Sequence, residues 1–418
     1  MTSFITKLTR MWLTRSAKPF TFTNEYDDIL PYSECDGLGL YVHIPFCKSL
    51  CAFCPYCKTV YSKEQCDRYI DALLKEIALV GGQSGEKKKC TSLYFGGGTP
   101  ALAADRIGEI IAALRQHFDI TEGVGLELHP DNVTPETLRT LKAAGVTKIS
   151  IGVQSFLSKF QKVLGRKPID TDAMKQALNE IKFETVSMDF IFALPGQTLD
   201  DLQSDIDRAF DIGANHVAIY PFIDFTFTPG KVKPLGKRDK RELLDSITAY
   251  CFDKGLKRDS IWTFSSESGA KYSSMTRDNF LGFGCSATTL LKKQFKVNTF
   301  SVEEYIRRVE NGKIPTSLTI RFTPRQRMIY YLFWTLYSTR LDPKDFNAFF
   351  GVPLQKMYGL EFRLARLLGF LTLENGIYKM TLKGAFYYHH YENYYTLAYI
   401  DKMWGIMREQ AFPERIEL

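Results

Sequence analysis

Through the first half of the chain, short apolar runs alternate with stretches whose apolar residues recur every three or four positions. The runs, rich in β-branched and aromatic residues, fall at 40–44, 92–95, 124–128, 148–153, 186–192 and 216–222. The helix-period stretches lie between them, at 64–80, 105–118, 135–144, 170–181 and 199–211. A short continuous run reads as a strand buried on both faces, and a 3.6-residue period as an amphipathic helix. Strands joined in series by helices pair in parallel through right-handed crossovers. The pattern therefore predicts an α/β fold: a TIM-like partial (β/α)6 barrel with ligands at the carboxyl ends of its strands.

The flanks break this rhythm. Phe4, Ile5, Leu8, Met11 and Trp12 fall on one side of a predicted helix whose other side carries Lys7, Arg10 and Arg15. A basic amphipathic helix of this kind suits a peripheral membrane or partner contact through residues 4–15, or packing on its own domain. Lys18-Pro19-Phe20 ends it. Residues 225–238, rich in Thr, Pro, Gly and Lys, read as a long loop over the barrel mouth. A helix at 241–254 follows, then strand-like pieces at 261–264, 281–289 and 294–299. From residue 323 the composition changes to helices at 325–338, 343–350 and 354–368, then a hairpin turning at Asn375-Gly376. This smaller C-terminal unit resembles a winged helix, yet 354–368 offers only Lys356, Arg363 and Arg366 as basic residues, so no nucleic-acid partner is expected. The division read from the sequence is 1–38, 39–300 and 301–418. No motif is assigned from Phe386 onward, where the aromatics of 387–395 suit either a flat ligand or internal packing.

Composition narrows the classes. A chain of 418 residues, 45% apolar, has room for a catalytic domain and an accessory one. The net charge of +7 permits an anionic partner without demanding one. No stretch approaches the roughly 18 apolar residues of a membrane span, and the start lacks a signal-peptide pattern. Nine cysteines, four of them between Cys47 and Cys57, argue for metal binding in a reducing compartment, here the cytoplasm, and against a disulfide framework.

The chemistry concentrates in Cys47-Lys48-Ser49-Leu50-Cys51-Ala52-Phe53-Cys54, directly after the first strand. Three thiolates spaced C-x3-C-x2-C can hold three corners of a cubane iron-sulfur cluster and leave the fourth iron open. Cys57, two residues beyond Cys54, could instead close a four-cysteine zinc loop. With Phe53 and the preceding Tyr41-Val42-His43-Ile44-Pro45-Phe46, the loop resembles the radical S-adenosylmethionine (SAM) superfamily. Within it the chain looks like the oxygen-independent coproporphyrinogen III oxidase family, including its heme-chaperone and its heme-degrading or class C methyltransferase relatives.

That resemblance, convincing over residues 40–287, implies a [4Fe-4S] cluster on Cys47, Cys51 and Cys54, and one or two molecules of SAM. It implies reductive cleavage to a 5′-deoxyadenosyl radical, fed by a flavodoxin- or ferredoxin-type electron donor, and a tetrapyrrole or other conjugated substrate. Matched by motif, Gly96, Gly97, Gly98 and Thr99 would meet the SAM amino group, Glu127 another part of SAM, and Arg166 its carboxylate. Gln154 would orient it and Asp189 would hold the ribose diol. Tyr41, Cys57 and Cys285 complete the expected catalytic set, Cys285 lying inside Gly282-Phe283-Gly284-Cys285-Ser286-Ala287, a segment that in some members helps hold a second SAM. Taken alone, each residue also has a structural reading: a turn, a paired carboxylate, a core amide, a loop arginine or a buried thiol. His216 and Tyr220 share a strand face and suit either substrate contact or the core. His129 stands where the family usually has Asn, and Tyr56 where the oxidases have a fourth cysteine. The implied outcome is oxidative decarboxylation or methyl transfer; the rival is a heme chaperone, with His389 and His390 as axial ligands.

Overall fold

The computed structural model describes residues 2–230, 232–266 and 278–418. Six strands pair in chain order and all in parallel: β1 (Leu38–Ile44), β2 (Lys88–Gly97), β3 (Val124–Leu128), β4 (Lys148–Gln154), β5 (Thr185–Phe192) and β6 (His216–Pro221). Their apolar runs are continuous because both faces are covered: Val42, Phe95, Ile151 and Phe190 are all fully buried. Each such side chain contributes roughly 1.5–3 kcal/mol relative to leaving it in water. The connecting helices start where the sequence caps them. Thr198 accepts from the Asp201 amide while Asp201 accepts from the Thr198 amide, a reciprocal pair at the head of Leu199–Ile212. Just before it, the Gln197 side chain donates to Ile191 O (3.1 Å) and accepts from the Leu194 amide (3.2 Å), pinning the turn that leaves β5.

The barrel is partial because β1 and β6 do not pair; each edge is extended by other strands. Asn279–Phe283 pairs in parallel with β1 and leads into antiparallel Thr288–Leu290, Gln294–Asn298 and Thr316–Arg321. The sheet then ends on two short strands from opposite ends of the chain, Thr21–Thr23 and Arg415–Glu417. Thr263–Ser265 and Lys257–Arg258 extend β6 in antiparallel fashion. The C-terminal helices Pro324–Tyr337, Pro343–Phe350 and Leu354–Leu367 enclose a separate core around Phe346, Leu354, Tyr358 and Leu371. With them go the hairpin Leu371–Glu374 and Ile377–Met380 and the strand Arg340–Leu341. Both turn residues are left-handed, Asn375 at φ 51° and Gly376 at φ 81°, as the Asn-Gly pair requires.

The N-terminal helix, Thr2–Thr14, has an inverted orientation. It buries Thr6, Arg10 and Thr14 and leaves Phe4, Ile5, Leu8 and Trp12 in solvent. Its polar face has partners inside: Arg10 donates to Leu418 O (2.7 Å) and lies over the Phe20 ring, and Thr14 donates to Arg10 O (2.7 Å). Among the described residues no helix is long and apolar enough to cross a membrane.

Candidate functional site

At the carboxyl end of β1 the chain turns at Pro45 into Phe46–Cys47, which pairs with Thr59–Val60. Thr59 N–H donates to Pro45 O (2.7 Å) and Tyr61 N–H to Cys47 O (2.9 Å), so residues 48–58 form a loop tied at its neck. Cys47, Cys51 and Cys54 are half-buried free thiols in it. Burial pushes the Cys47 thiol up to about 11, against a hydrogen bond from Thr99 Oγ1 at 3.8 Å, and it raises Cys54 as well. Without metal Cys47 and Cys54 are held protonated, so binding one releases protons. Among the described residues no three His, Cys, Asp or Glu side chains converge on a single ion. A cubane, which places each thiolate on a different iron, asks for wider spacing than one ion does.

The glycine segment Gly96–Gly98 supports this loop from below. Gly98 N–H donates to Ile44 O (2.9 Å) and Thr99 N–H to Phe46 O (2.7 Å). A Cβ on Gly98 would lie 2.6 Å from Phe46 O, and one on Gly97, at φ 125°, would lie 2.7 Å from Ile44 O. These two glycines therefore let β2 approach the chain's own cysteine loop. The same holds at Gly282 and Gly284, whose Cβ positions fall 2.1 Å from Thr288 O and 2.5 Å from His43 O. Glycine at these two positions makes room for the chain's own backbone.

Cys57 turns away from the other three cysteines. It is buried, donates to Phe300 O (3.2 Å), and its sulfur lies 3.6 Å from that of Cys285. Cys285 in turn donates to Thr299 O (3.1 Å). A hydrogen bond from Cys285 would favour the Cys57 thiolate, but the carbonyl facing each sulfur and the burial of both hold the pair as neutral thiols. This corrects one expectation: Cys57, bonded to Phe300 O and packed on Cys285, does not close a zinc loop with the other three.

Inside the barrel, two carboxylates face one another. Glu127 accepts from Tyr94 Oη (3.1 Å) and the Gly97 amide (3.2 Å); Asp189 accepts from Ser150 Oγ at 3.0 Å on both oxygens. Among the described residues no cation pairs with either, and burial raises Glu127 to about 7, with the Asp189 charge second, and Asp189 to about 6. Beside them Tyr41 stacks on Tyr94. Its hydroxyl lies 3.0 Å from His43 Nδ1, and His43 Nε2 lies 3.0 Å from Cys57 O. A carbonyl only accepts, so Nε2 carries the proton; burial lowers His43 to about 4, so the ring is neutral and Nδ1 must accept from Tyr41.

Both carboxyls are raised in the folded state, so each adds stability that is complete below its ordinary range and is lost as pH rises through its folded value. The ligand-free protein is expected to melt lower at pH 8 than at pH 5.5. Glu127→Gln should remove its own share of that fall, roughly 2 kcal/mol after allowance for partial solvent contact. Melting curves of both proteins across this range are the check.

Gln154 ends β4 at φ 71°, a left-handed conformation unusual for a side chain of its size. Arg166 reaches back to Gly152 O and, at 3.4 Å, Val153 O, and its guanidinium lies 6.0 Å from the centre of Phe53 in the cysteine loop. Its Nε is buried with no hydrogen-bond partner. A buried unpaired guanidinium N–H beside the loop suits a carboxylate, which is the feature that best fits bound SAM. His129 uses Nδ1 to accept from the Asp131 amide (3.2 Å), capping the turn after β3. His216 is buried against Ser187 (2.8 Å), whereas Tyr220 is exposed, so the two do not share an environment. His389 is buried with its ring 4.4 Å from that of Trp262, and its Nδ1 has no hydrogen-bond partner.

Sequence reasoning missed what closes over the loop. Gly230 N–H donates to Ala52 O (3.1 Å), so the 225–238 segment, whose residue 231 lies outside the described residues, does reach the cysteine loop. Asp401 accepts from the Thr226 amide and hydroxyl, both at 2.8 Å, fastening the C-terminal helix Asp401–Glu409 to that segment. From this helix Arg408 donates to Pro55 O and lies over Phe227 (4.1 Å) and Phe300 (5.0 Å), and Trp404 packs against Tyr56 (6.1 Å). The only local signal was the four-residue spacing of Trp404 and Arg408, too common to identify a lid. Arg408→Ala is expected to loosen this cover and speed bleaching of a reconstituted cluster in air severalfold, followed by absorbance. Arg408→Lys, unable to stack and donate together, should recover only part.

Comparison with known proteins gives concordant findings. The family model of the Radical SAM superfamily matches residues 41–209. The heme chaperone HemW of Bacillus subtilis (strain 168) is 27% identical over 336 residues, 76% of this chain and 88% of that protein. The oxygen-independent coproporphyrinogen III oxidase of Cereibacter sphaeroides is 26% identical over 306 residues, 66% of this chain and 68% of that one. Among solved structures, coproporphyrinogen III oxidase (HemN) from Escherichia coli superposes with a TM-score of 0.75 at 22% identity, covering 89% of this chain and 94% of that one, a likeness of fold.

Proposed function

We propose that this chain, which carries a radical SAM domain and is homologous to both HemW heme chaperones and oxygen-independent coproporphyrinogen III oxidases, is a radical SAM enzyme acting on a tetrapyrrole-like substrate. The observation that carries this reading is the loop itself: it holds three half-buried free thiols at C-x3-C-x2-C spacing, while the fourth cysteine, Cys57, is buried against Cys285 and bonded to Phe300 O. Held on Cys47, Cys51 and Cys54, a [4Fe-4S] cluster would supply the electron that splits SAM into a 5′-deoxyadenosyl radical. Arg166 is the group for the SAM carboxylate, through its unpaired Nε. Glu127, at the Gly97 amide, is suited to the SAM amino group, and Asp189 to the ribose hydroxyls. Thr99 steadies Cys47, Gln154 orients what Arg166 binds, and Tyr41 faces the carboxylates. Cys57 and Cys285 serve packing in this proposal. The nine free cysteines support a reducing compartment such as the cytoplasm, with a flavodoxin- or ferredoxin-type donor.

Oxidative decarboxylation and alkylation with a second SAM remain the two outcomes for the substrate. The heme-chaperone reading is favoured by one observation, the long reach of the HemW match over both chains. Anaerobic reconstitution with SAM, a reductant and candidate porphyrins separates these by mass spectrometry. 5′-Deoxyadenosine formed with a product lighter by carbon dioxide, or heavier by a methyl group, supports the enzyme. Stable heme binding with no altered tetrapyrrole supports the chaperone.

A further inference from the structure

The inverted N-terminal helix is one of two elements that expose an apolar stripe. Phe4 is 64% exposed and Trp12 50%, with Leu8 between them on the same side. The helix Leu354–Leu367 shows a second stripe, Leu360, Leu364 and Leu367, the last 78% exposed. An ion pair links the two elements: Arg15, just past the end of the first helix and lying over the Trp12 ring, bonds Glu361, which follows Leu360 in the second. Tyr358 Oη, at 3.5 Å from Leu13 O, ties the same two elements together. Exposed leucines and an exposed tryptophan on two helices tied together in this way mark a docking site.

Charge decides what docks. Lys7, Lys18, Arg363 and Arg366 are exposed on these two elements or just after them, and the acidic Glu361 is neutralised by Arg15. A second copy of this chain docking through a two-fold axis would set the same cations against one another. An anionic lipid surface matches both features, since Trp, Phe and Leu suit the interfacial layer and Lys and Arg the headgroups.

We propose that the face formed by Phe4, Leu8 and Trp12 with Leu360, Leu364 and Leu367 docks the protein on the surface of a bilayer containing anionic lipids. This goes beyond the proposed chemistry and does not depend on it. The test is flotation of the full chain with vesicles of phosphatidylcholine containing about 30% phosphatidylglycerol, and with phosphatidylcholine alone. The protein should float with the anionic vesicles, at least about tenfold less with neutral ones, and less again at about 0.5 M salt. Leu8→Glu with Trp12→Glu, and separately Leu364→Glu with Leu367→Glu, should each cut flotation at least about tenfold. Their melting temperatures and cluster content should be unchanged, because the altered side chains stand in solvent. Absence of flotation by the parent protein, or equal flotation by the variants, would overturn the proposal. So would a dimer in sedimentation velocity that both double variants abolish while vesicles bind nothing.

Discussion

Cys54→Ala is expected to bring 5′-deoxyadenosine formation to background and to remove the broad visible absorption of a reconstituted iron-sulfur centre. Cys57→Ser should leave both nearly intact. The contrast follows from where the sulfurs point. Cys54 is half-buried in the tied loop with its thiol free, whereas Cys57 is packed against Cys285 and bonded to Phe300 O. Losing one of three protein ligands leaves a cluster held by two, and the cofactor carrying the hard chemistry is no longer fixed. Replacing Cys57 by Ser exchanges one buried donor for another at a cost of about 1 kcal/mol. Iron and sulfide content per chain, measured beside SAM cleavage, is the direct check. Equal loss of iron in Cys57→Ser would reject the arrangement.

Gly98→Ala should have the second-largest effect, although it adds only a methyl group. Its Cβ would lie 2.6 Å from Phe46 O and 2.8 and 2.9 Å from two further backbone atoms, none of which can rotate aside. Relief requires β2 and the neck of the cysteine loop to part, breaking the bonds Gly98 N–H to Ile44 O and Thr99 N–H to Phe46 O. Overpacking of this kind costs roughly 1–3 kcal/mol. Because the displaced atoms belong to residues adjoining Cys47, cluster occupancy should fall more steeply than global stability. Gly165→Ala provides the control: its φ is positive, 68°, but nothing lies within 4 Å of its Cβ, so it should lose some stability from backbone strain and keep its cluster.

The barrel was legible because strands covered on both faces must be apolar without interruption, and the runs at β1 through β6 are. The cysteine loop was legible because metal chemistry fixes ligand spacing within a few residues. What failed to show were directions. Periodicity finds the apolar side of the Thr2–Thr14 helix but cannot say that Arg10 will turn inward to meet Leu418 O, more than four hundred residues away in the chain. Spacing puts Cys57 in register for zinc, while the fold of 285–300 draws it elsewhere. Glycines at 97, 98, 282 and 284 look the same in sequence whether they make room for a ligand or for backbone, and only the contacts separate the cases. The cover provided by Asp401, Trp404 and Arg408 depends wholly on contacts distant along the chain.

The pairing of Tyr41 with His43 fixes the polarity of what that phenol can welcome. Its single hydrogen is committed to the imidazole, so toward the barrel interior the oxygen presents lone pairs alone. Visitors bearing N–H groups or positive charge are drawn to that spot, and bare anions are turned back. A chain with Gln in place of His43, free to rotate its amide, would lose that discrimination while keeping the hydroxyl.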